Sequence, residues 1–186
     1  TRMLTSLANT RIKILVQLKD KSKLRNEKGL FLVEGLKMFL EAPIERIREV
    51  YVSESFYLKC TIQEQLHALN YEVVSDEVFK KISDTVTPQG ILTVLEQYQY
   101  KLEDLLKKEN PCFLLLEDIQ DPGNLGTMIR TGEGAGIDGV ILSSNSVDIY
   151  NPKTIRSTMG SIYRVPFFYT ADLTGVIKQL QKKNIT

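Results

Sequence analysis

The chain has no tryptophan, one histidine and two cysteines. With His67 alone, no multi-histidine metal centre can be built, and no metal is expected. Cys60 and Cys112 stand far apart and match no metal-ligand spacing, so they read as two free thiols of a cytoplasmic protein. No apolar run approaches the roughly 20 residues of a membrane span. Thr1 to Leu7 lack an apolar block with a small-residue cleavage site, so no secretory leader is expected. The phosphate loop G-x-x-x-x-G-K-[ST] is absent, which argues against nucleotide hydrolysis. His67, within Gln63-Glu-Gln-Leu-His-Ala-Leu69, fits the surface of a helix.

What remains is ordinary for a soluble globular protein: 42% hydrophobic and 25% charged residues. A length of 186 residues allows one large or two small domains. The net charge of +1 conceals a segregation. Residues 1–30 hold eight Lys/Arg, Arg2 among them, against two acids, a net +6. Residues 151–186 carry +5, which leaves −10 for the middle. Basic ends of this kind suggest a polyanion surface, with Arg11, Lys19, Lys21, Lys23 and Arg25 at one end and Lys153 and Arg156 at the other. Charge alone fits solvated helix faces equally well.

Helix and strand signals alternate along the chain. Asn9 to Lys19 has apolar residues at helical spacing, with Asn9 or Thr10 as cap. Asp20 to Gly29 reads as a charged loop. Strand-like runs follow at Leu30–Val33, Glu49–Val52, Tyr71–Val74 and Gly90–Leu95. Helices are expected over Gly35–Ala42, from a Ser53 cap to about Asn70, and from Ser75 to Ile82. This pattern predicts a two- or three-layer α/β domain over residues 1–96. A linker is expected at 97–110, with a short helix near Leu102–Lys108. A second α/β domain then spans 111–186. Its strands are expected at Cys112–Leu116, Gly139–Leu142 and Tyr163–Phe168, and its helices from about Asn124, from Asn151-Pro152 and over Ala171–Lys183. Three strands leave an uncovered sheet edge, so this second domain is expected to be cut short.

The most informative segment lies between the first two of those strands. In Asp121-Pro-Gly-Asn124 the Pro-Gly pair makes a tight turn and Asn124 is placed to cap the next helix. At about 100° per residue, Asn124, Thr127, Arg130 and Thr131 share one arc, and Leu125, Met128 and Ile129 the other. The polar arc therefore lies near the carboxyl end of a strand, where α/β sheets bind ligands. Gly134-Ala-Gly-Ile-Asp-Gly139 matches G-x-G-x-x-G, but it runs from helix to strand, the reverse of a dinucleotide site. In Asp148-Ile-Tyr-Asn-Pro-Lys-Thr-Ile-Arg-Ser-Thr-Met-Gly160, Pro152 opens a helix, and Lys153 and Arg156 lie one turn apart, able to hold phosphate.

Asp121-Pro-Gly-Asn-Leu-Gly-Thr-Met-Ile-Arg-Thr-Gly-Glu-Gly-Ala-Gly136 and the segment from Asp148 to Gly160 resemble the SpoU/TrmH family of RNA 2′-O-ribose methyltransferases. Phe31-Leu-Val-Glu-Gly35 and Thr87-Pro-Gln-Gly90 resemble the family's L30e-like RNA-binding domain. The resemblance implies an α/β fold: an L30e-like domain followed by an incomplete SPOUT (α/β knot) domain. It implies Asn124 and Arg130 as the catalytic polar pair, S-adenosylmethionine as cofactor, ribosomal or transfer RNA as substrate, and a homodimer when complete. Two later family motifs, a Gly-Asn-Glu-type loop and a Ser-Leu-Asn-type segment, do not occur here. The chain is therefore expected to be an inactive fragment lacking most of the cofactor pocket. In the implied reaction a ribose 2′-hydroxyl attacks the sulfonium methyl group. A guanidinium is almost never deprotonated, so Arg130 is expected to clamp a phosphate rather than act as base. Two alternatives stand beside this: an RNA-binding module without chemistry, and a small-molecule enzyme with a glycine-rich phosphate loop.

Overall fold

A computed structural model describes residues 3–185; Thr1, Arg2 and Thr186 lie outside them. The chain divides into two compact units, Thr1–Gln97 and Tyr98–Thr186.

The first unit runs α1 (Thr10–Asp20), α2 (Ser22–Lys28), β1 (Leu30–Glu34), α3 (Leu36–Glu41), β2 (Ile47–Ser53), α4 (Glu54–Lys59), α5 (Gln63–His67), β3 (Tyr71–Val74), α6 (Asp76–Ile82) and β4 (Ile91–Glu96). Its sheet has the order β1-β4-β2-β3; β4 is antiparallel to both neighbours and β2 is parallel to β3. Side chains alternate across a strand, and both faces are covered. Tyr51, Leu92 and Val94 meet Ile12, Leu15 and Leu18 of α1 and Val78, Phe79 and Ile82 of α6. Val50, Val52 and Ile91 meet Phe39 of α3 and Leu66 of α5. Of the two layerings allowed by the sequence, this is the three-layer one. Asn9 is the cap of α1, accepting from the Arg11 amide, and Ser53 and Ser75 cap α4 and α6.

Two local expectations change. Residues 20–29 are not a loop, because Ser22–Lys28 form α2, which ends at left-handed Gly29 (φ +64°). The expected helix from Ser53 to Asn70 is two. The α4 helix stops at Cys60, the Gln63 side chain donates to the Tyr57 carbonyl at 3.0 Å, and Ile62 turns into the core. Such a side-chain bond satisfies a carbonyl that a continuing helix would have used.

The second unit runs α7 (Leu102–Leu105), β5 (Phe113–Leu116), α8 (Pro122–Gly134), β6 (Gly139–Ser143), α9 (Pro152–Thr158), β7 (Phe167–Thr170) and α10 (Leu173–Lys182). The sheet β5-β6-β7 is wholly parallel. Central β6 has the continuously apolar core expected of a strand covered on both faces. Residues 98–110 fall within the second compact unit. Leu102 and Leu106 pack with Ile141, Val176 and Leu180, and the Tyr98 amide donates to the Tyr150 hydroxyl at 2.8 Å. The last strand starts later than expected. Ser161–Tyr163 form a 3-10 turn, and β7 begins only after Pro166, whose carbonyl accepts from the Val140 amide at 2.9 Å. No helix of the described residues is long and apolar enough to cross a membrane.

Candidate active site

The α8 helix leaves the carboxyl end of β5 after a short loop. Asp121, not Asn124, is its cap: the Asp121 carboxylate accepts from the Asn124 amide at 2.7 Å, and Pro122 occupies the first turn. The signal was legible, since Asp-Pro pairs a capping acceptor with a residue whose missing N–H costs nothing at a helix start. Asn124 is thereby moved inside the helix, with its side chain exposed. The two arcs separate as their spacing predicts: Asn124, Thr127, Arg130 and Thr131 are exposed, while Leu125 and Ile129 are buried and Met128 half-buried.

The α9 helix lies hard against α8, and glycine is the reason. A Cβ on Gly126 would sit 2.4 Å from the Thr154 carbonyl oxygen and 2.5 Å from Ser157 Cβ. A Cβ on Gly132 would meet the Ile137 side chain at 2.4 Å. Gly126 thus lets α9 approach the α8 backbone, and Gly132 makes room for the Ile137 side chain. Asn151 caps α9, accepting from the Lys153 amide, and Pro152 follows it. Lys153 and Arg156 both project to solvent. Just past α9, Met159 adopts a left-handed backbone (φ +48°) and brings its Sδ against Arg130 Nη1. Nothing in the sequence pattern singled out Met159. At the far end of α8, Glu133 takes both oxygens to Arg164, at 2.7 and 3.0 Å. That guanidinium holds the Glu133 carboxyl below its ordinary range.

The loops at the carboxyl edge of the sheet use their polar groups on one another. The Asp118 amide donates to Ser143 Oγ at 2.7 Å and the Ile119 amide to Ser146 Oγ at 3.2 Å. The Val147 amide donates to the Ile119 carbonyl at 2.7 Å, and Gln120 Nε2 to the Asn145 carbonyl at 2.9 Å. A nucleoside cofactor needs donors and acceptors aimed outward. These residues do not compose an adenosine pocket by themselves.

In the first unit the basic residues part ways. Arg25 is only 3% exposed and donates to the Leu18 and Lys19 carbonyls, at 2.9 and 3.1 Å. It closes the carboxyl end of α1 and is not placed to meet a polyanion. Arg11 binds Glu72 at 2.8 Å and lies 5.5 Å from the centre of the Tyr51 ring. Lys19 donates to the Lys81 and Ser83 carbonyls. Of these five, Lys21 and Lys23 are the exposed ones.

Residues 111–186 match the family model for the SpoU rRNA methylase family, and residues 9–93 match that for the MRM3-like substrate binding domain. The chain is 32% identical over 167 residues to the 23S rRNA (guanosine(2553)-2′-O)-methyltransferase RlmP of Bacillus subtilis, covering 89% of this chain and 64% of that protein. It is 30% identical over 184 residues to the human mitochondrial rRNA methyltransferase 3, covering 86% of this chain and 44% of that protein. The chain thus spans less than two thirds of the length of these relatives. The AdoMet-bound rRNA methyltransferase from Sinorhizobium meliloti superposes with a TM-score of 0.81 at 30% identity, over 95% of this chain and 68% of that one. With an α/β substrate-binding unit followed by a parallel α/β unit that carries the Asn124–Arg130 arc, the chain belongs to the SpoU rRNA methylase family.

Proposed function

We propose that this chain is part of an enzyme that transfers a methyl group from S-adenosylmethionine to a ribose 2′-hydroxyl of ribosomal RNA. The observation that carries the reading is the exposed arc of α8, with Asn124 and Arg130 near the carboxyl end of a parallel strand. The cofactor supplies an already activated sulfonium methyl group. The protein's task is then to position the reactants and favour loss of the hydroxyl proton. Arg130 clamps the phosphate beside the target ribose, and its charge stabilises the developing alkoxide. Asn124, six residues and about one and two-thirds turns before Arg130 on the same exposed arc, orients the ribose. Lys153 and Arg156 on adjacent α9 hold neighbouring phosphates. In the first unit, the exposed Lys21 and Lys23 meet the RNA backbone. The need for a 2′-hydroxyl makes the substrate RNA rather than DNA. Homodimerisation through the complete second domain belongs to the same reading.

The test is Arg130→Ala in the full-length protein, with 2′-O-methylnucleosides of the RNA digest measured by mass spectrometry. Methyl transfer should be lost while RNA affinity stays within about threefold, since one phosphate contact among several is removed. Normal turnover would defeat the assignment. Calorimetry with S-adenosylmethionine separates this reading from an RNA-binding module: the module binds RNA and no cofactor at any chain length.

A further inference from the structure

We infer that Met159 is a positioning residue that holds the Arg130 guanidinium ready for an RNA phosphate; this rests on the role given to Arg130 above. Three observations meet at this residue. Its backbone is left-handed (φ +48°, ψ 41°), a conformation that glycine or asparagine adopts with less strain. Its side chain is 48% exposed, although Thr158, Gly160, Ser161 and Ile162 around it are buried. Its Sδ lies against Arg130 Nη1, within reach of its N–H groups. A methionine here neither eases the turn nor fills the core, so turn chemistry and packing do not account for it. What it does is present a thioether to the guanidinium.

The chemistry of that contact suits a waiting position. An arginine on an exposed helix face samples many rotamers, and each wrong one must be abandoned when substrate arrives. A neutral thioether is a weak acceptor. It narrows the rotamers without forming an ion pair. A phosphodiester oxygen makes a stronger, charge-assisted bond and displaces the sulfur. A carboxylate at the same place would compete with the phosphate instead. Sulfur therefore organises Arg130 before binding and yields on binding.

The experiment compares Met159→Leu and Met159→Gln in the full-length protein, with an unmodified 23S rRNA transcript and S-adenosylmethionine. Both replacements are unbranched at Cβ, so the strain of the turn is unchanged. Met159→Leu keeps the bulk and removes the acceptor. It should lower kcat about tenfold through lost pre-organisation, with KM within about twofold and an unchanged melting temperature. Met159→Gln restores a neutral acceptor and should recover most of that loss. Undiminished kcat in Met159→Leu, or a loss that tracks a lowered melting temperature, would overturn the inference. Side-chain NMR of Arg130 gives an arm independent of activity. Its side-chain N–H groups should exchange with water faster, and their signals broaden, in Met159→Leu relative to the native protein. Identical spectra would overturn the inference even if turnover falls. An active Arg130→Ala variant would instead sink the parent reading, and the NMR arm would still decide whether Met159 holds the guanidinium.

Discussion

Arg25 and Lys23 are two residues apart, carry the same charge and have opposite roles. One is enclosed against the last carbonyls of α1; the other is exposed and 3.9 Å from Glu27. Replacing Arg25 by Ala leaves buried carbonyls without a donor. We expect a loss of about 1–3 kcal/mol in urea unfolding, with RNA affinity of the folded protein unchanged. Lys21→Ala with Lys23→Ala should do the reverse. Stability should stay within about 0.5 kcal/mol, while filter binding to RNA weakens and its salt dependence becomes shallower. Charge counting along the chain found the basic cluster but not its direction. Which lysine or arginine turns inward depends on where a helix end falls, and α2 was hidden behind its own high charge.

Among the elements, the α8–α9 pair makes the sharpest contrast between glycines. Gly126 touches α9, whereas a Cβ on Gly134 would meet nothing within 4 Å. Gly126→Ala should cost about 1–3 kcal/mol through overpacking, and Gly134→Ala should add about 0.4–1 kcal/mol by restricting the unfolded chain. Paired thermal melts check both. Asp121→Ala, which removes the cap of α8, should cost about 1 kcal/mol. The two arcs of this helix were legible because a 3.6-residue period fixes which side chains share a face. The close approach of α9 was not, because it depends on a partner element. The same reason explains the break between α4 and α5 and the late start of β7. In both places a side-chain bond or a proline overrides an apolar run that reads as continuous. The strands of the first unit needed no such partner information. Leu30–Val33, Tyr71–Val74 and Gly90–Leu95 are short, apolar and bounded by turn residues, and each emerges within a residue or so of its expected limits.

For the molecule as a whole, each unit carries its own covered sheet. Residues 3–97 expressed alone should therefore keep native-like far-UV circular dichroism and melt cooperatively; a featureless melt would show that the unit needs the rest of the chain. On the acid side, the depressed Glu133 carboxyl adds stability that is fully present above the ordinary carboxylate range. It is lost as pH falls through the lowered value, because protonation breaks its pair with Arg164. Glu133→Gln should flatten that part of the stability-versus-pH curve.

The alkaline side has an optical consequence. Burial raises the Tyr51 hydroxyl in the first unit and the Tyr150 and Tyr169 hydroxyls in the second above the ordinary tyrosine range. A phenol kept neutral in the folded state contributes stability below about pH 10. That contribution fades as pH climbs toward the raised values. With no tryptophan to mask them, these phenols report on their surroundings through the phenolate band near the ultraviolet edge. An alkaline spectrophotometric titration should show the exposed tyrosines ionising first. A later rise should follow as the two sheets open, and the part missing in Tyr51→Phe is the share that marks the first sheet. Each half of the protein is thus fitted with its own chromophore, and one cuvette can follow both without a label.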